Sequence, residues 1–350
     1  MALSRLQLTQ FTVFDSAEFN FCSGINVVIG KNSTGKSHAL KAMYALLAAL
    51  RQAADKNATE SQRDALVAEK FRRVFLPDDL DRLIRRPSLE PERGAELQLS
   101  ESGGSDAAVI LKGDLAKIGP HPLRPPSALF IPSRDVLAFS EGFVQLYETR
   151  KVSFDETYAD LCRALAEIPL REPPEILGRI ENILGGRVRQ KGERFYIEMG
   201  GQEFEAHLVG EGLRKVATLV RLIANGTLVP GAVLFWDEPE AGLNPQMTAQ
   251  ITEFIRQLAA WGVQIFIATH DYLLAHRLSV ALEYKEEPRV DARFFALYRS
   301  EQHGPVQVEF GETLAHIQNN AILQEYAKFH DWEEELLLRD IGRDRVGEEG

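Results

Sequence analysis

Ile25-Asn26-Val27-Val28-Ile29-Gly30-Lys31-Asn32-Ser33-Thr34-Gly35-Lys36-Ser37 is the stretch whose reading decides the fold. Its first five residues read as a buried strand, and Gly30 to Ser37 fit the pattern G-x-x-x-x-G-K-[ST] of a phosphate-binding loop. Gly30 and Gly35 let the backbone curl so that the N–H groups of Lys31, Asn32, Ser33 and Thr34 face phosphate oxygens at the positive end of the next helix. Lys36 is expected at the β- and γ-phosphates and Ser37 at Mg²⁺. Beyond the loop, Leu40, Met43, Tyr44, Leu47 and Leu50 recur at helical spacing, which predicts an amphipathic helix. Strand, glycine loop and helix follow in the order that an ATP-binding loop requires.

Working outward, Val233-Leu234-Phe235-Trp236-Asp237-Glu238 reads as a second buried strand with two carboxylates at its C-terminal end, where ligands bind in open α/β sheets. Asp237 suits the Mg²⁺ shell, and Glu238 suits a general base for the attacking water. Val263 to Ala268 reads as a third strand, delivering His270 to the same edge as a sensor of the γ-phosphate. Helices over Glu211 to Asn225 and Met247 to Ala260 separate these strands, so a mainly parallel sheet with right-handed crossovers is expected. Toward the N-terminus, strands are expected at Leu6 to Phe14 and Ala17 to Phe21. Between Ala53 and Leu208 the pattern loosens into a polar helix (Ser61 to Phe75), a hairpin (Ala95 to Leu111), a short strand (Ala128 to Ile131), further helix and a second hairpin (Arg187 to Leu208). Residues 1–52 and 207–310 are therefore expected to form a discontinuous head, 53–206 an inserted helical and β lobe without catalytic motif, and 311–350 a helical segment with a charged tail.

The 350 residues, 45% apolar, suffice for a large folded unit. No run approaches the roughly 20 apolar residues of a membrane span, and the start lacks a secretory pattern. A cytoplasmic protein with no membrane association is expected. Cys22 and Cys162 have no metal-binding or redox spacing and read as small core residues. A net charge of −11 opposes non-specific attraction to nucleic acid. Two clusters temper that expectation: Arg72, Arg73, Arg82, Arg85 and Arg86, and Arg187, Arg189, Lys191 and Arg194. They read first as solvated charge and second as a basic face for DNA or RNA. Asp155 reads as the cap of the helix after it rather than as part of a docking loop.

The glycine loop, the Asp237-Glu238 strand and His270, in this order, resemble the ABC/SMC-type ATPase heads. The resemblance implies an α/β P-loop head with a mainly parallel sheet, an antiparallel β portion and an inserted helical lobe. It also implies that Glu240-Ala241-Gly242-Leu243-Asn244-Pro245 is a D-loop, with Asn244 at the nucleotide of a dimer. Leu208 to Lys215 then stands in the place of the signature motif, with Gly210 where the family's serine is usual, so that Gly210, Glu211 and Gly212 of a second protomer would face the γ-phosphate. Arg214 or Lys215 is a candidate for added positive charge there. Ser133, Arg134 and Gln145 are candidates for the Q-loop position, and Phe11 to Phe14 for an adenine seat that reads equally as core. The segment between Ser37 and Gly210 is too short for the long coiled coil of true SMC proteins, and the chain from Leu3 to about Leu297 most resembles the stand-alone bacterial AAA-labelled ATPases of anti-phage cassettes of the Septu, PARIS or OLD kind. The residues after His270 hold no Asp-x-Asp of a Toprim nuclease.

The function expected is therefore an ATP-binding and ATP-hydrolysing switch, closing as a head-to-tail homodimer around ATP and Mg²⁺, with Lys36, Glu238 and His270 catalytic and a separate effector or sensor as partner. A nucleic-acid maintenance ATPase of the SMC group is the alternative. A transporter subunit would need a membrane partner, and a P-loop kinase has no use for Asp237, Glu238 and His270 together.

Overall fold

The computed structural model describes residues 2–86, 94–119, 124–301 and 304–347, with the side chains of the last helix to residue 337. The chain opens on an antiparallel pair, β1 (Leu3–Phe11) and β2 (Phe14–Asn20), then β3 (Ile25–Gly30), α1 (Lys36–Asp55) and α2 (Glu60–Phe75). A meander of β4 (Ala95–Glu101), β5 (Asp106–Lys112) and β6 (Leu115–Ile118) leads to β7 (Ala128–Ile131). Three helices follow, α3 (Phe143–Thr149), α4 (Glu156–Ala166) and α5 (Ile176–Leu184), and then a second meander of β8 (Gly186–Lys191), β9 (Arg194–Met199) and β10 (Gln202–Glu205). The chain continues through α6 (Glu211–Ala224), β11 (Val233–Asp237), α7 (Pro245–Ala260), β12 (Gln264–Thr269) and α8 (Tyr272–Glu283). It closes with β13 (Ala292–Tyr298), β14 (Gln307–Gly311) and α9 (Ala321–Gly347).

The central sheet runs β14-β13-β3-β12-β11-β7, parallel except for β14. Every residue of β3 and β12 is buried, as strands covered on both faces must be. Their side chains alternate between two cores. Ile25, Val27, Ile29, Trp236, Ile265 and Ile267 face the layer of α4 to α8. Val28, Val233, Phe235, Phe266 and Phe295 face α1, α2 and the antiparallel sheet β2-β1-β4-β5-β6. The apolar positions predicted for the helix after the glycine loop, Leu40, Met43, Tyr44, Leu47 and Leu50, are all buried in that second core.

Several boundaries differ from the sequence expectation. The first strand ends at Phe11 rather than Phe14, because Thr12 takes a left-handed conformation (φ 51°) and turns the chain into β2. The predicted hairpins gain a third strand each, β6 and β10. The last helix starts at Ala321, ahead of the charged tail. Residues 53–206 do not stand apart from the sheets: β4, β5 and β6 join β1 and β2, and β7 pairs in parallel with β11. A charge network also ties the start of α4 to both α1 and α2. Lys41 meets Asp155 at 2.7 Å, Lys70 meets Glu156 at 2.9 Å, and the Tyr44 hydroxyl donates to Asp160 at 2.7 Å. Asp155 accepts from the Thr157 N–H and so caps α4, as its position predicted.

One buried side chain links the two sheets at the end remote from the glycine loop. The Gln264 amide accepts from the Leu3 N–H at 2.7 Å and donates to the Leu3 and Cys22 carbonyls, both at 2.8 Å. Replacing Gln264 by Leu removes the side-chain partner of the Leu3 N–H and carbonyl, while Asn26 still donates to the Cys22 carbonyl, and is expected to cost about 1–3 kcal/mol. A lowered urea midpoint at unchanged slope would report it; an unchanged midpoint would contradict the bridging role.

Candidate functional site: a phosphate cradle, a carboxylate pair and a histidine at one sheet edge

The parallel register brings the ends of β3, β12 and β11 to one edge, with Thr269 paired to Ile29 and Asp237 to Ala268. Where β3 leaves the sheet, backbone packing requires glycine. A Cβ at Gly30 would lie 2.5 Å from the Leu297 carbonyl oxygen, and one at Gly35, in the left-handed region at φ 93°, would lie 2.6 Å from a Val13 methyl. Gly35 also opens α1 without a side-chain cap. Helices α2, α4, α7 and α8, by contrast, are closed by Thr59, Asp155, Asn244 and Asp271. The start of α1, like those of α3, α5 and α6, has no side-chain cap, and it alone of these follows the glycine loop.

Lys36 is buried and donates to the Gly30 and Lys31 carbonyls at 2.8 and 3.1 Å. Burial lowers its pKa, while Glu238, Asp237 and Glu240 hold its charge against that cost. The Ser37 hydroxyl donates to Asp237 at 2.9 Å across two elements far apart in sequence. Burial raises the Asp237 pKa, and the Ser37 bond offsets part of the rise. A hydroxyl and a carboxylate on a protein edge, with phosphate oxygens to complete the shell, are the hard oxygen donors that Mg²⁺ takes.

Glu238 breaks out of the strand. It adopts φ 49°, a left-handed conformation uncommon for glutamate, while its N–H stays bonded to the Ala268 carbonyl at 2.8 Å. Its Oε1 then lies 3.1 Å from Nδ1 of His270, which is 54% exposed. Glu240 stands behind the histidine at 3.9 Å, accepts from Thr269 at 2.6 Å and has its pKa raised by burial. All of the residues predicted from the three strand ends thus share one edge.

Residues 113–275 match a family model described as "AAA domain, putative AbiEii toxin, Type IV TA system", and residues 1–73 match one described as "AAA domain". Among solved structures, the SMC head domain from Thermotoga maritima overlays with a TM-score of 0.51 at 14% identity, covering 88% of this chain and 98% of that one. The Smc head domain with an extended coiled coil, bound to the C-terminal domain of ScpA and derived from Pyrococcus furiosus, gives 0.54 at 12% identity, covering 93% and 99%. This is the fold of an ABC/SMC-type P-loop ATPase head. Curated relatives share its sequence over shorter stretches. The arginine transport ATP-binding protein ArtP of Haemophilus influenzae is 28% identical over 121 residues, 35% of this chain and 48% of the relative. The glutamine transport ATP-binding protein GlnQ of Bacillus subtilis is 25% identical over 119 residues, 31% and 47%. The chain spans about half the length of these relatives.

The segment Gly210 to Gly212 and the loop Glu240 to Pro245 pack on each other. A Cβ at Gly212 would sit 2.8 Å from the Gly242 carbonyl oxygen, and Gly242 lies against the Glu211 side chain. Gly210 opens α6 without a side-chain cap, so that helix end is as unsatisfied as the start of α1. Asn244 uses its side-chain oxygen to cap α7 through the Met247 N–H at 2.9 Å. Arg214 and Lys215, considered as charge for a second subunit, turn inward instead. Arg214 bonds Asp135 at 2.6 Å and the Val209 carbonyl, and Lys215 donates to the Glu238 carbonyl at 3.2 Å. Burial lowers the Lys215 pKa.

Of the Q-loop candidates, Gln145 is exposed on α3. The residue after Ser133 and Arg134 is the one that matters structurally: the Asp135 carboxylate is 3% exposed and ties β7 to α6 through Arg214. Asp135 and the bond from Thr269 to Glu240 escaped sequence reading because single polar residues at or after strand ends carry no periodic signal; the apolar run ending at Ile131 was the available pointer to Asp135. Phe11 and Phe14 are fully buried against Phe71, Phe75 and Phe19, which makes them core rather than a base seat. The basic clusters are largely paired. Arg187, Arg189, Lys191 and Arg194 meet Glu181, Glu198, Glu203 and Glu141, and Arg72 and Arg73 meet Asp114 and Glu69.

Arg214→Ala strands the buried Asp135 carboxylate and is expected to cost about 2–3 kcal/mol. The double change Asp135→Leu with Arg214→Met should recover most of that in urea unfolding, since apolar packing replaces the pair. A single-variant loss below about 0.5 kcal/mol would mean that solvent already screens it.

Proposed function

We propose that this head binds ATP with Mg²⁺ and hydrolyses it, and that it closes as a head-to-tail homodimer whose state is read by a separate effector or sensor protein. The observation that carries the reading is the 3.1 Å contact between Glu238 and His270 beside the Ser37–Asp237 pair. A base is useful there only if a water attacks a phosphate held by the glycine loop. The loop N–H groups and Lys36 hold the phosphates, with Lys36 exchanging its two carbonyl contacts for phosphate oxygens. Mg²⁺, held by Ser37 and Asp237, would neutralise charge on the β- and γ-oxygens. Glu238 accepts the proton of the attacking water as its oxygen forms a bond to the γ-phosphorus and the bond to ADP breaks. His270, carrying its proton on Nδ1, orients that carboxylate.

The case for a dimer rests on the uncapped start of α6 at Gly210, Glu211 and Gly212, which suits a γ-phosphate brought by a second copy. Asn244 lies beside that surface at the start of α7. The effector partner is proposed on the matched family description, which names a putative toxin of a toxin–antitoxin system; a place in the cytoplasm and in anti-phage defence is proposed on the sequence resemblance alone. No helix among the described residues is long and apolar enough to cross a membrane. The second reading, a nucleic-acid maintenance ATPase, draws on the likeness to SMC heads over most of the chain. The carboxylate partners of its basic clusters weigh against it.

Phosphate release by Glu238→Gln should fall roughly 10²–10⁴-fold, and gel filtration of that variant should show a dimer with ATP and Mg²⁺ and a smaller species without them. Lys36→Ala should bind no nucleotide. Hydrolysis surviving in Glu238→Gln would sink the assignment of the base, and a mass indifferent to ATP would sink the dimer.

A further inference from the structure

Asp237, Glu238 and Glu240 stand together at the sheet edge, and ATP would add the negative charge of its γ-phosphate to theirs. Lys36 is the cation that the glycine loop brings. On the side of β11 and β7, other cations are already taken within the chain. Lys41 meets Asp155 at 2.7 Å, Arg214 meets Asp135 at 2.6 Å, and Lys215 donates to the Glu238 carbonyl at 3.2 Å. Arg134 differs. It is exposed and makes no ion pair and no side-chain hydrogen bond among the described residues.

The strands set its place. β7 pairs with β11 from Ala128 and Val233 to Ile131 and Trp236, so the chain leaves β7 beside Asp237, one strand spacing of about 4.8 Å away. The backbone is held on both sides of Arg134. Pro132 is buried, and Asp135, clamped by Arg214, accepts from the Leu137 N–H at 3.0 Å. The half-buried phenol of Tyr158, on α4, feels the same charges. Burial pushes it up to about 12, Asp155 and Asp237 add to the rise, and Arg134 opposes it. Arg134 and Asp237 therefore act on one ring, with the backbone fixed and the guanidinium free.

We infer that Arg134 is a ligand of the γ-phosphate, reaching it from the end of β7 while the glycine loop holds it from the end of β3. The inference rests on the hydrolytic reading of this edge and adds a residue to it. As the water oxygen bonds to the γ-phosphorus, Glu238 takes the proton and the bond to the ADP oxygen breaks. The guanidinium transfers no proton; it donates its fork of N–H groups to the γ-oxygens. Charge on those oxygens must be stabilised in the transition state, which an always-charged group placed beforehand does without rearrangement.

The test compares Arg134→Ala and Arg134→Lys with the unaltered chain. Arg134→Ala should slow phosphate release at least roughly 10²-fold. In the Glu238→Gln background it should weaken ATP binding at least about ten-fold and leave ADP binding unchanged, both read by displacement of a fluorescent ADP. Arg134→Lys should keep part of the rate, as a point charge without the fork. Guanidinium ion, below the concentrations that unfold the chain, should return part of the rate to Arg134→Ala. The urea midpoint of Arg134→Ala should not move, since the side chain is exposed and unpaired. An alanine variant that keeps the full rate, while Glu238→Gln loses it, would overturn the inference and leave the proposed function standing. So would a slow variant that binds ATP and ADP equally poorly, or one whose midpoint falls, because Arg134 would then act on the fold. An unaltered chain that releases no phosphate from ATP would overturn both.

Discussion

The structure depends on the burial of β3, β12 and β11 on both faces. Each strand sends alternate side chains into one of two cores, so a slip of one residue would exchange the sets facing α1 and α6. Register is fixed by that constraint, and with it the relative height of Gly30, Asp237 and Thr269. The 2.9 Å bond between Ser37 and Asp237 is a consequence of this alignment rather than its cause. At the opposite end, Gln264 and Asn26 satisfy the backbone where the chain enters β3; Asn26 bonds both the N–H and the carbonyl of Cys22.

Against this rigid base, the site is assembled from groups whose burial is unfavourable alone. Lys36 and Lys215 lose charge stability on burial, as do Asp237 and Glu240. Placing opposite charges beside one another limits that cost. The left-handed turn at Glu238 is the one backbone irregularity at the strand end itself, and it swings the carboxylate toward His270 instead of continuing the pleat. The histidine is 54% exposed and the glutamate 31%, so both side chains stay open to solvent at this edge.

Two features at the start of α6 lack a side-chain partner among the described residues. Gly210 leaves the first turn of α6 uncapped, and Leu208 is exposed beside it. Packing of Gly212 on Gly242 joins this segment rigidly to the loop after Glu238 and Glu240. Movement of either segment is therefore felt by the other.

The residues from Gly30 to Ser37, Asp237, Glu238 and His270 were legible from the sequence alone, because local chemistry identifies a glycine loop and because apolar runs announce the strands that end beside it. The parallel α/β sheet followed from the alternation of those strands with amphipathic helices. Other features needed the tertiary structure. β4, β5 and β6 join β1 and β2 through hydrogen bonds between segments distant in the chain, and no local pattern records such pairing. Arg214 and Lys215 carry the same charge whether they face a partner or their own chain, and only packing turned them inward to Asp135 and Glu238.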